Sequence, residues 1–208
     1  MSHRLVTRAA AALLPAAIML PAAAHAERLV VRDPARDVVR LDLAASEAAD
    51  EEVVAPAPGD TSTDIKRVVV DHRRDVLEVR VEVRALRSSY LAAAEVALRT
   101  EARSWGVVVF RSGTETFTSL TRGKRETSRR CGGLITTVDM RADEMVVSVP
   151  TSCLEDPRWV RVGVGLFSGT VAPGRGGLRE LVPYWDEAGV TGFEDDDIEA
   201  RGPRIRRG

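Results

Sequence analysis

The acidic residues ahead of the first well-patterned strand are the ones whose types and spacing suggest chemistry. Asp33 and Asp37 flank Pro34, and Asp60 and Asp64 bracket Thr61-Ser62-Thr63 just before the β-branched run that starts at Ile65. If the strand after Glu27 lies beside the strand after Asp64, these carboxylates meet at one loop end. Calcium takes about six to eight oxygen ligands of this kind, so Asp33, Asp37, Asp60 and Asp64 form a candidate calcium site. The same residues also have a purely local use, because Asp accepts hydrogen bonds from backbone a few positions on and shapes turns that lead into strands. A third use is hydrolytic. Two carboxylates in unequal environments can act as acid and base, and such a pair would be drawn from Asp33, Asp37, Asp60, Asp71 and Asp186.

Other chemistries have less to work with. Beyond His3 and His25 the chain has one histidine, His72, set in the polar run Asp71-His-Arg-Arg-Asp75, where two cations disfavour an imidazolium. The expectation is a solvated loop ring. The two cysteines, Cys131 and Cys153, are 22 positions apart and do not form a C-x-x-C, so they read as one structural disulfide. Tyr184 and Trp185 are adjacent, and in a strand they face opposite sides, which leaves one as a candidate stacking surface for a ligand. Asn and Gln are absent, which removes the side-chain amides that commonly pair with sugar hydroxyls. Gly165-Leu-Phe-Ser168-Gly169 places its serine one position late for a nucleophile elbow.

The segments that must position these residues are short and strand-like. Leu77, Val79, Val81 and Val83 alternate with Glu78, Arg80, Glu82 and Arg84, a period of two that gives one buried and one wet face. Ile65 to Val70 precedes it across a hairpin-length polar run, so the two should pair antiparallel. Further strands are expected at Arg28 to Leu43, Glu95 to Thr100, Trp105 to Arg111, Glu115 to Leu120, Leu134 to Met140, Glu144 to Val149, Arg158 to Phe167 and Leu178 to Trp185. Only Ala44 to Glu52 and Tyr90 to Val96 suit helical turns. About eight to ten short strands with no long amphipathic helix predict an all-β, antiparallel sandwich held by one disulfide.

Residues 1–26 combine a basic start, an apolar run and the small-x-small site Ala24-His25-Ala26, the pattern of a secretory signal peptide cleaved after Ala26. The expected organisation is a signal peptide over 1–26, one secreted domain over 27–192, and a charged, flexible tail over 193–208. No later stretch approaches the roughly 20 apolar residues of a membrane span, so no transmembrane anchor is expected in the mature chain. The 30 basic and 31 acidic residues are interspersed, which argues against a nucleic-acid partner.

Taken together, Asp33-Pro-Ala-Arg-Asp37-Val38, Gly59-Asp60 to Ile65, Asp71-His72, Cys131-Gly132, Pro150-Thr-Ser-Cys153-Leu154 and Pro157-Arg-Trp-Val160 make the chain resemble a group of uncharacterised exported proteins of actinomycetes. The resemblance covers most of residues 30 to 186. It implies a secreted all-β domain and no established activity. The function expected from the sequence is non-enzymatic binding of an extracellular partner, envelope component or small ligand, with calcium as the one cofactor the residues suggest. The alternative is a secreted hydrolase with an acidic active site.

Overall fold

The computed structural model describes residues 27–51, 53–87, 91–123, 127–173, 179–188, 193–194, 197–198 and 200–208. The segment read as a signal peptide lies outside them. In chain order the strands begin with β1 (Glu27–Arg32), β2 (Val39–Leu41), β3 (Val54–Pro56), β4 (Ile65–His72) and β5 (Val76–Val83). They continue with β6 (Leu91–Thr100), β7 (Ser104–Ser112), β8 (Glu115–Arg122), β9 (Thr127–Arg129), β10 (Ile135–Asp139) and β11 (Glu144–Pro150). The last are β12 (Trp159–Pro173), β13 (Arg179–Glu187), β14 (Phe193–Glu194), β15 (Asp197–Ile198) and β16 (Ile205–Arg206). One short helix, α1 (Leu43–Ala49), starts at Asp42, whose side chain accepts a hydrogen bond from the Ala45 amide.

Two antiparallel sheets form a sandwich. The first runs β1-β4-β5-β11-β10, and the second runs β3-β2-β13-β12-β6-β7-β8-β9, with β16 added to β12 at Trp159 and Val160. Alternation decides which side chains meet between them. Leu77, Val79, Val81 and Val83 of β5 and Met145, Val147 and Val149 of β11 face Val96 and Leu98 of β6, Trp105, Val107 and Val109 of β7 and Val160, Val162 and Val164 of β12 in one core. The intervening positions of the first sheet carry cross-strand ion pairs. Arg80 reaches both oxygens of Glu144 at 2.9 Å, and Arg67 pairs with Glu82. Opposite charges facing each other on a wet sheet surface fix register more than they add stability.

The disulfide between Cys131 and Cys153 joins the segment before β10 to a single 3-10 turn (Thr151–Leu154), with the Cα atoms 5.6 Å apart. It closes the base of the β10–β11 hairpin, where the sequence places it.

Four sequence expectations change. The strand read over Arg28 to Leu43 is two, β1 in the first sheet and β2 in the second, because Asp33 to Val38 turns the chain from one sheet to the other. The helical turn read over Ala44 to Glu52 is α1, but an edge strand that the sequence pattern does not predict, β3, follows it. The segment read as a helical turn over Tyr90 to Val96 is strand from Leu91 on, continuous with the strand expected at Glu95 to Thr100. Val96 and Leu98 reach the core there while Glu95 and Arg99 face outward, so pairing with β7 and β12 outweighs alanine's helical preference. Finally, the end of the tail read as flexible is docked. Ile205 is 2% exposed in the core, and the Arg207 and Gly208 amides donate to the Arg158 and His72 carbonyls.

His72 is changed by the same contact. It closes β4, fully buried, with its ring Nδ1 3.0 Å from the Ile205 carbonyl oxygen. Burial lowers its pKa, although the Ile205 contact opposes this. The polar neighbours that suggest a solvated loop belong to the hairpin, while the C-terminal strand covers the ring itself.

Candidate functional site

The acidic site is built where the two sheets close on each other. Asp33 follows the last residue of β1, Asp37 precedes β2, and Asp186 is the penultimate residue of β13. One carboxylate oxygen from each lies within 4.8 Å of the others. Asp33 and Asp186 are buried and Asp37 is exposed, so the cluster opens to solvent on one side.

Asp64 fixes the loop that carries the first two. Its Oδ2 accepts the Arg36 amide at 2.9 Å, and its Oδ1 accepts Nε of Arg84 at 2.7 Å. Arg36 has φ of 68°, the left-handed region that non-glycine residues rarely occupy, so the fully buried Asp64 carboxylate holds an unfavourable turn in place. Asp60 is committed to its own turn. Its Oδ1 accepts the Ser62 and Thr63 amides at 3.0 and 2.8 Å. Of the four residues read from sequence as a calcium set, two therefore enter the cluster, one anchors its loop against Arg84, and one shapes a neighbouring turn. The local use of Asp and the convergent use coexist, divided between residues.

Asp186, grouped by sequence only with the hydrolytic acids, completes the cluster. It stands opposite Leu166 on the inward face of β13, a position alternation normally gives to an apolar side chain. Its Oδ2 accepts the Ile65 amide at 2.7 Å and its Oδ1 the Glu187 amide at 2.9 Å. The first of these ties the two sheets together, beside a 2.5 Å contact between the Thr63 and Ser168 hydroxyls. Burial, reinforced by Asp37 and Asp64, pushes the Asp186 carboxyl up to about 6 against the opposing pull of the Ile65 and Glu187 amides. Three carboxylates at this spacing repel, and either a proton on Asp186 or a bound cation relieves the repulsion.

Asp71 lies at the opposite end of β4, 3.9 Å from Arg28, and takes no part. Tyr184 and Trp185 are both half-buried on β13, opposite Ser168 and Phe167 respectively. Tyr184 shares the inner face with Asp186, and Trp185 stands on the outer face. Neither the large groove nor the small cavity of the sandwich is lined by Asp33, Asp37 or Asp186. No helix of the described residues is long and apolar enough to cross a membrane. Compared with family models, curated proteins and solved structures, the chain finds no match.

Proposed function

We propose that this chain is an exported, non-enzymatic β-sandwich that binds a ligand outside the cytoplasm, with calcium held at the Asp33, Asp37 and Asp186 cluster. The observation that carries the calcium part is the approach of three carboxylates to within 4.8 Å at a solvent-open corner between the sheets. Three carboxylates offer hard oxygen ligands, which suit calcium, and waters complete the shell. A disulfide supports the exported reading, since such bridges persist in oxidising compartments.

A second reading is favoured by one observation. An Asp186 carboxyl raised to about 6 beside Asp37 has the unequal environments that an acid and base pair needs. Against it, neither the groove nor the small cavity among the described residues is lined by Asp33, Asp37 or Asp186.

Thermal melting with millimolar calcium and with chelator tests the first reading. Calcium at a hundred times its dissociation constant adds about 2.7 kcal/mol to the folded state, or about 5 to 10 °C for a domain of this size. Asp37→Ala, at an exposed position, should abolish the rise while leaving the chelated melt near that of the parent. No rise, or an equal rise in Asp37→Ala, overturns the calcium assignment. Turnover of glycoside or ester substrates that is lost in Asp186→Asn would replace the non-enzymatic reading with the hydrolytic one.

A further inference from the structure

The outer face of the second sheet, away from the carboxylate cluster, carries a groove of about 800 Å³ that the strand register accounts for. Gly163, Ala97 and Gly106 stand opposite one another across β12, β6 and β7. A row without long side chains leaves a trough in a sheet surface. Thr121 closes the row, its hydroxyl donating to the Gly106 carbonyl at 3.2 Å, and a Cβ at position 106 would come within 2.8 Å of the Thr121 Oγ1. The floor therefore stays low by construction.

On one side of the floor the register sets Arg161 directly opposite Arg99, and Arg99 opposite Ser104. Like charges facing each other across strands weaken a sheet. Here the pair stands in a wall of the groove, and Arg204 joins it from the segment leading into β16. Arg99 reaches the Ser104 hydroxyl at 3.4 Å, Arg204 lies over the Trp159 ring at 4.5 Å, and the buried Nε of Arg161 has no acceptor among the described residues. In the first sheet Arg67 and Arg80, and just past β5 Arg84, are each held by a carboxylate. Among the described residues of the groove lining Glu95 is the one acid, and β15 lies against β6 and β12.

The geometry points to a binding site for a small molecule carrying two or more carboxylate or phosphate groups, gripped by Arg99 and Arg161 with Arg204 at the rim. Guanidinium forks match both oxyanions with paired hydrogen bonds. The bound anion separates two facing cations and gives Arg161 an acceptor. The volume falls in the range of small-ligand pockets, about 300 to 1,000 Å³. Glu95 disfavours a weakly charged ligand, so multiple charge is the feature selected. The proposal rests on reading the chain as a binding module, but it uses a different face from the calcium cluster, so the two can fail separately.

Titration calorimetry on the chelator-treated full chain provides the test. Tripolyphosphate and 1,2,3-propanetricarboxylate are the probes, with acetate at matched ionic strength as the control. Saturable one-to-one binding of either probe is expected, and which one binds identifies the ligand as phosphate or carboxylate. Arg99→Gln with Arg161→Gln should weaken binding at least about tenfold, whereas Arg141→Gln, in the β10–β11 turn of the other sheet, should leave it unchanged. Arg161→Lys keeps the charge and loses the fork, so it should lose several-fold and decides the matter if the double variant does not fold. No saturable binding, unchanged binding in the groove variants, or an equal loss in Arg141→Gln overturns the proposal.

Discussion

Asp186 makes the stability of the metal-free protein fall as pH rises, the opposite of the usual carboxylate effect. Its folded pKa of about 6 lies above the ordinary 3.8, so between these values the folded state holds a proton that the unfolded state has released. The stabilisation is complete below 3.8, declines through the interval, and is gone above about 6. The full span corresponds to about 3 kcal/mol, of which about 2 kcal/mol is lost between pH 4 and pH 7.5. Other groups titrate too. His72, with its lowered pKa, is neutral when folded and takes up a proton more readily unfolded, so its contribution falls as pH drops through 6.5. A difference measurement removes such terms. In Asp186→Asn the amide offers one acceptor oxygen to the two amides of Ile65 and Glu187, a fixed cost of about 1 to 3 kcal/mol. Urea unfolding of both proteins in chelator, from pH 4 to 7.5, should show the parent losing about 2 kcal/mol relative to the variant, or about 4 to 8 °C in the melt. Saturating calcium should restore the parent at pH 7.5 and not at pH 4, since a ligand oxygen must be deprotonated. A difference that stays flat with pH, or that moves in the parent's favour as pH rises, would refute the reasoning.

Three further outcomes follow from the packing. Arg84→Met leaves the fully buried Asp64 carboxylate without its cation, so chemical unfolding should register a loss of about 3 kcal/mol. Replacing Cys131 and Cys153 by alanine reopens a 22-residue loop and should cost about 3 kcal/mol under oxidising conditions, with reduction of the parent costing the same. Ile205→Ala should destabilise by about 2 to 4 kcal/mol by urea titration, a value that a frayed tail would reduce to near zero.

The strands were readable because each alternation is local. Val79 and Val81 face the core and Arg80 and Glu82 do not, and that pattern needs no knowledge of any other segment. The disulfide was readable for a similar reason, since Cys131 and Cys153 flank one hairpin. The division between β1 and β2 was not, because Pro34 marks a turn without telling which sheet the chain joins afterwards. Asp33 and Asp37 are neighbours in sequence and could be grouped. Asp186 could not be added to them, since it reaches the Ile65 amide across 121 positions through a register that alternation does not specify.

The charged residues show the limit most clearly, because a charge has no intrinsic place in a strand pattern. Arg80 and Arg161 look alike in sequence, each an outward residue between apolar ones. Register gives Arg80 a facing Val146 with Glu144 within reach, and gives Arg161 a facing Arg99. The first arrangement helps hold the sheet together and explains itself. The second weakens the sheet unless an anion lies between, and it stands beside a trough kept open by Gly163, Ala97 and Gly106. The same contrast separates Asp64, held by Arg84, from Asp33, Asp37 and Asp186, whose carboxylates converge on one another. In both places the register assembles like charge at a concave or solvent-open point of the sandwich, one negative and one positive, on different faces. Unlike the Arg67–Glu82 pair, these two assemblies bring like charges together, so they are where ligand binding is to be sought.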